Sequence, residues 1–228
     1  MKLSYTMSWE KRLNAGKMDI SISQPYSDAY LVKAAGQSTG IARALFKYDF
    51  TSQGHTNTHS LKPINFKLTD TLKGKKTTFT TTFPPLQIVN DTTIVDIKTG
   101  AKTPYRNIVS FKKDVGLDLM SSALYLRSQA LTKGQKISLV TSSFNSPYLV
   151  DYTVLGRETK TIKAKQYKTI KIAIQISEID STMTIEPYSK INQATVWISD
   201  DEYRVPVEFK GDIFIGSISV RLANRKWL

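Results

Sequence analysis

The chain has 228 residues, 40% of them apolar, no cysteine and a formal net charge of +13. That apolar content is ordinary for a folded domain and excludes a disordered chain. The lack of cysteine excludes, within these 228 residues, a disulfide framework, thiol catalysis and cysteine-ligated zinc, while the positive charge favours anionic partners.

At the start, Leu3, Tyr5, Met7 and Trp9 alternate with polar residues, so the chain enters a strand at once. No secretory signal is present; the expectation is that the native gene encodes one ahead of Lys2. No apolar run approaches the ~20 residues of a membrane helix. "MDISISQ" (Met18–Gln24) reads as the next strand. "STGIARALFKY" breaks the alternation, and Ile41, Leu45 and Tyr48 have the spacing of a short helix. Alternation returns at Ile64–Asp70 and Lys76–Phe83, and "FPPLQIVNDTTI" (Phe83–Ile94) reads as a crossover. "GLDLMSSALYLRSQAL" (Gly116–Leu131) is the strongest helix, with Asp118 as N-cap. Leu119, Ala123 and Leu126 form one stripe on it, and Met120, Leu124 and Arg127 another. A helix apolar on two sides packs against something large, most simply a curved sheet. Beyond it Lys136–Ser142, Tyr148–Gly156, Tyr167–Ser177, Gln193–Ser199 and Tyr203–Phe209 alternate again, rich in Thr, Ile, Val, Tyr and Phe.

These elements predict about a dozen strands, with one polar face throughout. No Pro-rich or Gly/Ser-rich linker and no fixed repeat divides the chain. The reading is one domain over residues 1–228, mainly β: a strongly bent antiparallel sheet or open β-barrel with one central helix on its concave side.

Catalytic chemistry finds little support. His55 and His59 are the only histidines, and an extended backbone sets them ~13 Å apart, too far to share a metal. No G-x-S-x-G elbow or Gly-rich phosphate loop is present. The acids Asp200, Asp201 and Glu202 follow Val196–Ser199 and precede Tyr203–Phe209, where they supply turn chemistry between two strands. Arg127 is the least expected charge on the helix. Pairing with Asp200 or Asp201 is its favoured role, and a ligand carboxylate or phosphate the alternative. The basic run Arg157–Lys171 has only Tyr167 as an aromatic, which does not fit base stacking on nucleic acid; a solvated, lysine-rich hairpin is expected there.

Several stretches together resemble the domain-of-unknown-function 3108 family of exported bacterial proteins. They are Tyr5, Trp9, Ala15 and Gly16 at the start and Asp118, Ser121, Leu124, Tyr125 and Arg127 on the helix. Near the end follow Trp197, Ser199, Asp200, Asp201, Pro206 and Val207, then Ile215, Gly216 and Ser217. One departure is Lys165-Gln166-Tyr167, where the family has Gly-Thr-Phe, because lysine tolerates positive φ poorly. The resemblance implies a curved β fold and an exported protein of the periplasm or cell envelope. It implies no activity.

The expectation is therefore a non-enzymatic protein with no catalytic residue and no cofactor. It would bind an apolar or amphipathic, lipid-like ligand or an envelope partner in the concave face of the sheet. Arg127, Tyr125, Trp9 and Trp197 are the candidate binding residues. Nucleic acid is not expected. One competing reading is an interaction module whose interior is filled by the helix; a glycan-acting hydrolase ranks last.

Overall fold

A computed structural model describes residues 1–10, 13–113, 116–144, 146–180, 182–213 and 216–227. Its strands in chain order are β1 (Lys2–Trp9), β2 (Leu13–Tyr26), β3 (Ala29–Ser38), β4 (Tyr48–Asn57), β5 (Pro63–Leu72), β6 (Lys75–Thr82), β7 (Gln87–Asp96) and β8 (Lys102–Ser110). After them come β9 (Gly116–Asp118), β10 (Lys136–Ser143), β11 (Ser146–Ile162), β12 (Lys165–Ile179), β13 (Ile185–Pro187), β14 (Ile191–Ser199), β15 (Pro206–Ile213) and β16 (Gly216–Lys226). Helix α1 (Gly40–Leu45) lies between β3 and β4, and α2 (Leu119–Ser128) follows β9.

Among the described residues, all sixteen strands belong to one open sheet. Its order is β8-β7-β6-β5-β4-β3-β2-β1-β16-β15-β14-β12-β11-β10-β9, with β13 paired to β12. Every pairing is antiparallel except the short β9 on β10. The fold is the mainly β, strongly bent sheet that the alternation predicts. It has more strands than expected, because β3 is Ala-rich and β7 begins inside the segment read as a crossover. Only residues 83–86 lie outside a strand there; Gln87 onward pairs with β8 and, from Val89, with β6.

The sheet curls until its two ends meet through side chains rather than a ladder. Asn90 of β7 accepts from Ser142 of β10 at 3.1 Å, and the Phe79 and Phe144 rings meet edge-on at 5.5 Å. Gly116 of β9 sits tight against β7: a Cβ there would lie 2.9 Å from Ile88.

Three apolar clusters fill the inner face. One gathers Ile137, Val154, Ile170, Ile172 and Ile198 from β10 to β14, with Leu126 of α2. A second gathers Val32, Phe66, Leu68 and Phe79 from β3 to β6, with Met120 of α2 and Leu124 packed against it. The third joins Leu3, Tyr5, Val205 and Leu222. Full burial of each such side chain contributes about 1.5–3 kcal/mol. Helix α2 thus bridges the two halves of the sheet.

The helices differ from expectation in detail. α2 is shorter than Gly116–Leu131, because Gly116–Asp118 pair with β10 as a strand. Of its two stripes, Met120, Leu124 and Leu126 face the core, while Leu119 and Ala123 face out. In α1, Ile41 and Leu45 are exposed, and Tyr48 belongs to β4.

Candidate functional site

The concave side is occupied by α2, and its anchoring starts at the N-cap. Asp118 Oδ1 accepts from the backbone N–H groups of Met120 (2.6 Å) and Ser121 (2.8 Å), and Ser121 Oγ accepts from the Asp118 N–H in return. That reciprocal box satisfies donors the helix leaves open. The carboxyl is 0% exposed, and its Oδ2 has no partner. Burial pushes its pKa up to about 6 against the pull of those bonds. On the next residue, Ser122 shares a 2.7 Å bond with Thr141 of β10.

The other end of α2 is latched to the turn between β14 and β15. Arg127 donates through Nε to the Tyr203 carbonyl at 3.1 Å, and its Nη2 reaches the same oxygen. Arg204 donates back to the carbonyls of Arg127, at 2.9 Å, and Gln129, which are among the helix's unsatisfied acceptors. Asp201 shapes the turn by accepting from Ser199 Oγ (2.7 Å) and from the N–H groups of Tyr203 and Arg204 (both 3.0 Å). Burial alone would raise its carboxyl; those bonds and Arg225 outweigh burial and hold it below the ordinary range. Asp200 pairs with Arg157 at 2.8 Å. Arg127 therefore meets the acidic turn, but through a backbone carbonyl rather than an ion pair with Asp200 or Asp201. Its guanidinium is pulled down by burial, with Tyr5 and Asp201 opposing.

Trp197 lies on the other face of the sheet, in none of the three apolar clusters, yet is only 5% exposed. Lysine stems cover it. The Lys160 ammonium stands 4.1 Å from its ring centroid, Lys210 at 5.5 Å and Lys171 at 5.6 Å, while the indole N–H donates to Glu158. Below them Glu208, 2% exposed, pairs with Lys160 at 2.6 Å and Arg221 at 2.9 Å. Burial would raise its carboxyl, but these bonds keep it lowered. The basic hairpin is thus not simply solvated. Its tip closes over β15 and β16, and the positive φ it requires falls on Lys163, ahead of the departure at 165–167. An open cavity of about 490 Å³ lies at this tip, lined by Lys160, Lys163, Glu208, Lys210 and Arg221. A second, of about 450 Å³, lies on the same outer face across β1 to β5, lined by Lys2, Lys33, Gln53 and Lys67 among others.

The four candidate binding residues do not converge. Arg127 is in the latch. Tyr125, on the same turn of α2, packs half-buried on the cluster of β10 to β14. Trp197 is on the outer face. Trp9 ends β1 opposite Ile218 of β16. Ile215 lies outside the described residues. His55 is bonded to Asn65 and His59 to Thr58. Among the described residues no cluster of three potential metal ligands occurs, and no helix is long and apolar enough to cross a membrane.

The profile of a family described as "Protein of unknown function (DUF3108)" matches residues 4–223. The chain belongs to the DUF3108 family. No curated protein matches the sequence. Among solved structures, a β-barrel-like protein of the DUF1849 domain from Brucella abortus is similar, at 9% identity and a TM-score of 0.59; the match covers 98% of this chain and 95% of that one. A Bacteroides fragilis protein with a YmcC-like fold aligns at 7% identity and a TM-score of 0.37, covering 99% and 95%. The Brucella similarity shows that this DUF3108 chain shares a barrel-like fold, and at that identity it shows the fold alone.

Proposed function

We propose that this DUF3108 protein is a non-catalytic binding protein of the bacterial cell envelope, and that its partner meets the outer face of the sheet. The observation that carries the reading is the filling of the concavity. α2 is buried against clusters on both halves of the sheet and is bonded at both ends. A lipid-like ligand there would have to displace Met120, Leu124 and Leu126. The outer face, by contrast, offers two open cavities lined by lysine. Asp200 and Asp201 of the β14–β15 turn, adjacent acids that could otherwise work on a glycan, are spent on Arg157, Arg225 and the turn backbone. Export rests on the resemblance carried by the sequence motifs.

Native mass spectrometry of the protein recovered from fractionated host cells tests this. The expected result is protein in the envelope fraction at the mass of the polypeptide alone. A retained lipid-sized adduct would restore the concave site, and recovery from the cytoplasm would overturn the envelope assignment.

A further inference from the structure

The outer face carries a ladder of lysines that no hairpin shows on its own. The register sets Lys226 of β16 opposite Lys2 of β1, Lys2 opposite Ser21 of β2, and Ser21 opposite Lys33 of β3. Lys33 then faces Gln53 of β4, Gln53 faces Lys67 of β5, and Lys67 faces Thr80 of β6. One row running across the strands therefore reads Lys226, Lys2, Ser21, Lys33, Gln53, Lys67, Thr80. At about 4.8 Å per strand, Lys2, Lys33 and Lys67 stand about 10 Å apart, and the lysines span roughly 24 Å. All four are exposed, and among the described residues none forms an ion pair with a carboxylate. The neighbouring row, Asp19, Ala35, Thr51 and Thr69, has small side chains and lines the 450 Å³ cavity. Its single carboxylate, Asp19, accepts from Ser4.

Like charges on facing strands destabilise a sheet. Lys226 and Lys2 are opposed directly, and with no acid interleaved in the row a bound polyanion would relieve that repulsion and the positive potential along the row. The hydroxyls and amide between them suit a ligand bearing neutral hydroxyls as well as charge. No aromatic side chain stands in the row to stack a base, which disfavours single-stranded nucleic acid. The trough is lined mostly by polar side chains, which disfavours insertion into a bilayer.

From this geometry, and resting on the outer-face reading above, we infer that the row Lys226–Lys2–Lys33–Lys67 is a binding track for an acidic polysaccharide, a glycan chain bearing carboxylate or phosphate groups along its length.

The test is calorimetric titration of the protein with polygalacturonate, a phosphorylated dextran and neutral dextran at about 0.15 M salt, where weak surface attraction is screened. Three proteins are compared: the wild type, the triple variant Lys2→Ala, Lys33→Ala, Lys67→Ala, and a control triple, Lys98→Ala, Lys102→Ala, Lys113→Ala, that removes the same charge elsewhere. The expected result is binding of both anionic polymers and not of dextran. The ladder triple should bind at least about tenfold more weakly with a flatter salt dependence, and the control should bind nearly as wild type. If the ladder triple fails to fold, Lys33→Gln alone should still weaken binding. Equal loss in both triples would reduce the binding to net charge and overturn the track. Wild-type affinity in the ladder triple would overturn the track while leaving the outer-face reading standing. Preference for duplex DNA or anionic vesicles over both polymers would also overturn it. Polymer binding competed by a lipid that enters beneath α2 would overturn the outer-face reading itself.

Discussion

Asp118→Asn separates the capping role of this residue from the cost of its charge. The carboxyl caps α2 through Oδ1 alone, is fully buried, and leaves Oδ2 without a partner. Its pKa is pushed from 3.8 to about 6, which corresponds to about 3 kcal/mol between the two protonation states. A raised folded-state pKa contributes stability that is fully present below the unfolded value and lost as pH rises through about 6. The wild type should therefore lose about 2–3 kcal/mol between pH 4 and pH 7 from this group. An amide keeps the Oδ1 bonds and carries no charge, but its NH2 stands where Oδ2 finds no partner, at a cost of about 1–3 kcal/mol. The variant should thus be the less stable protein near pH 4 and equal or better near pH 7. Urea unfolding followed by tryptophan fluorescence across that range measures the crossover. A difference between the two proteins that does not change with pH would refute the burial argument.

Other outcomes follow from the same contacts. Trp197→Ala should cost about 3 kcal/mol in denaturant midpoint analysis, since the ring is buried, though under lysine stems; a loss below about 0.5 kcal/mol would place it at the surface. Arg127→Met and Arg204→Met should each destabilise by about 1–3 kcal/mol, and a double-mutant cycle should return coupling above about 0.5 kcal/mol, whereas additivity would deny the latch. The Asp201 carboxyl lies below its ordinary range, so its stabilisation is present above the unfolded value and lost as pH falls through the folded one. The melting-temperature gap between wild type and Asp201→Asn should accordingly close in acid; a gap that persists there would remove the ionic part of that argument.

The parts of the structure legible in the sequence are those set by neighbours along the chain. Period-two alternation marks the strands, and Asp118 ahead of Ser121 marks the helix start. Asp200 and Asp201 mark a turn. β3 escapes because Ala34, Ala35 and Gly36 have weak strand propensity, though they pack in the finished sheet. Arg127 meets the expected turn, but at the Tyr203 carbonyl rather than at a carboxylate. Whether the guanidinium meets a carboxylate or a carbonyl is decided by the shape of a turn 76 residues along the chain. The cage on Trp197 and the lysine row depend on strand register across several hairpins. Alternation tells which face each lysine takes, but which lysines line up across the sheet follows only once every hairpin register is known.

The central claim is that α2 stays in the concavity while the partner binds outside, and a disulfide can test it directly because the chain has no cysteine. A Cβ built on Gly54 of β4 lies 3.5 Å from the Met120 Cβ of α2, within the range a disulfide spans. The measurement is polygalacturonate affinity of Gly54→Cys, Met120→Cys, oxidised against reduced. The account predicts equal affinity with the helix locked. Binding that is lost on oxidation and returns on reduction would mean that α2 must leave the sheet to admit the ligand, and would contradict the account.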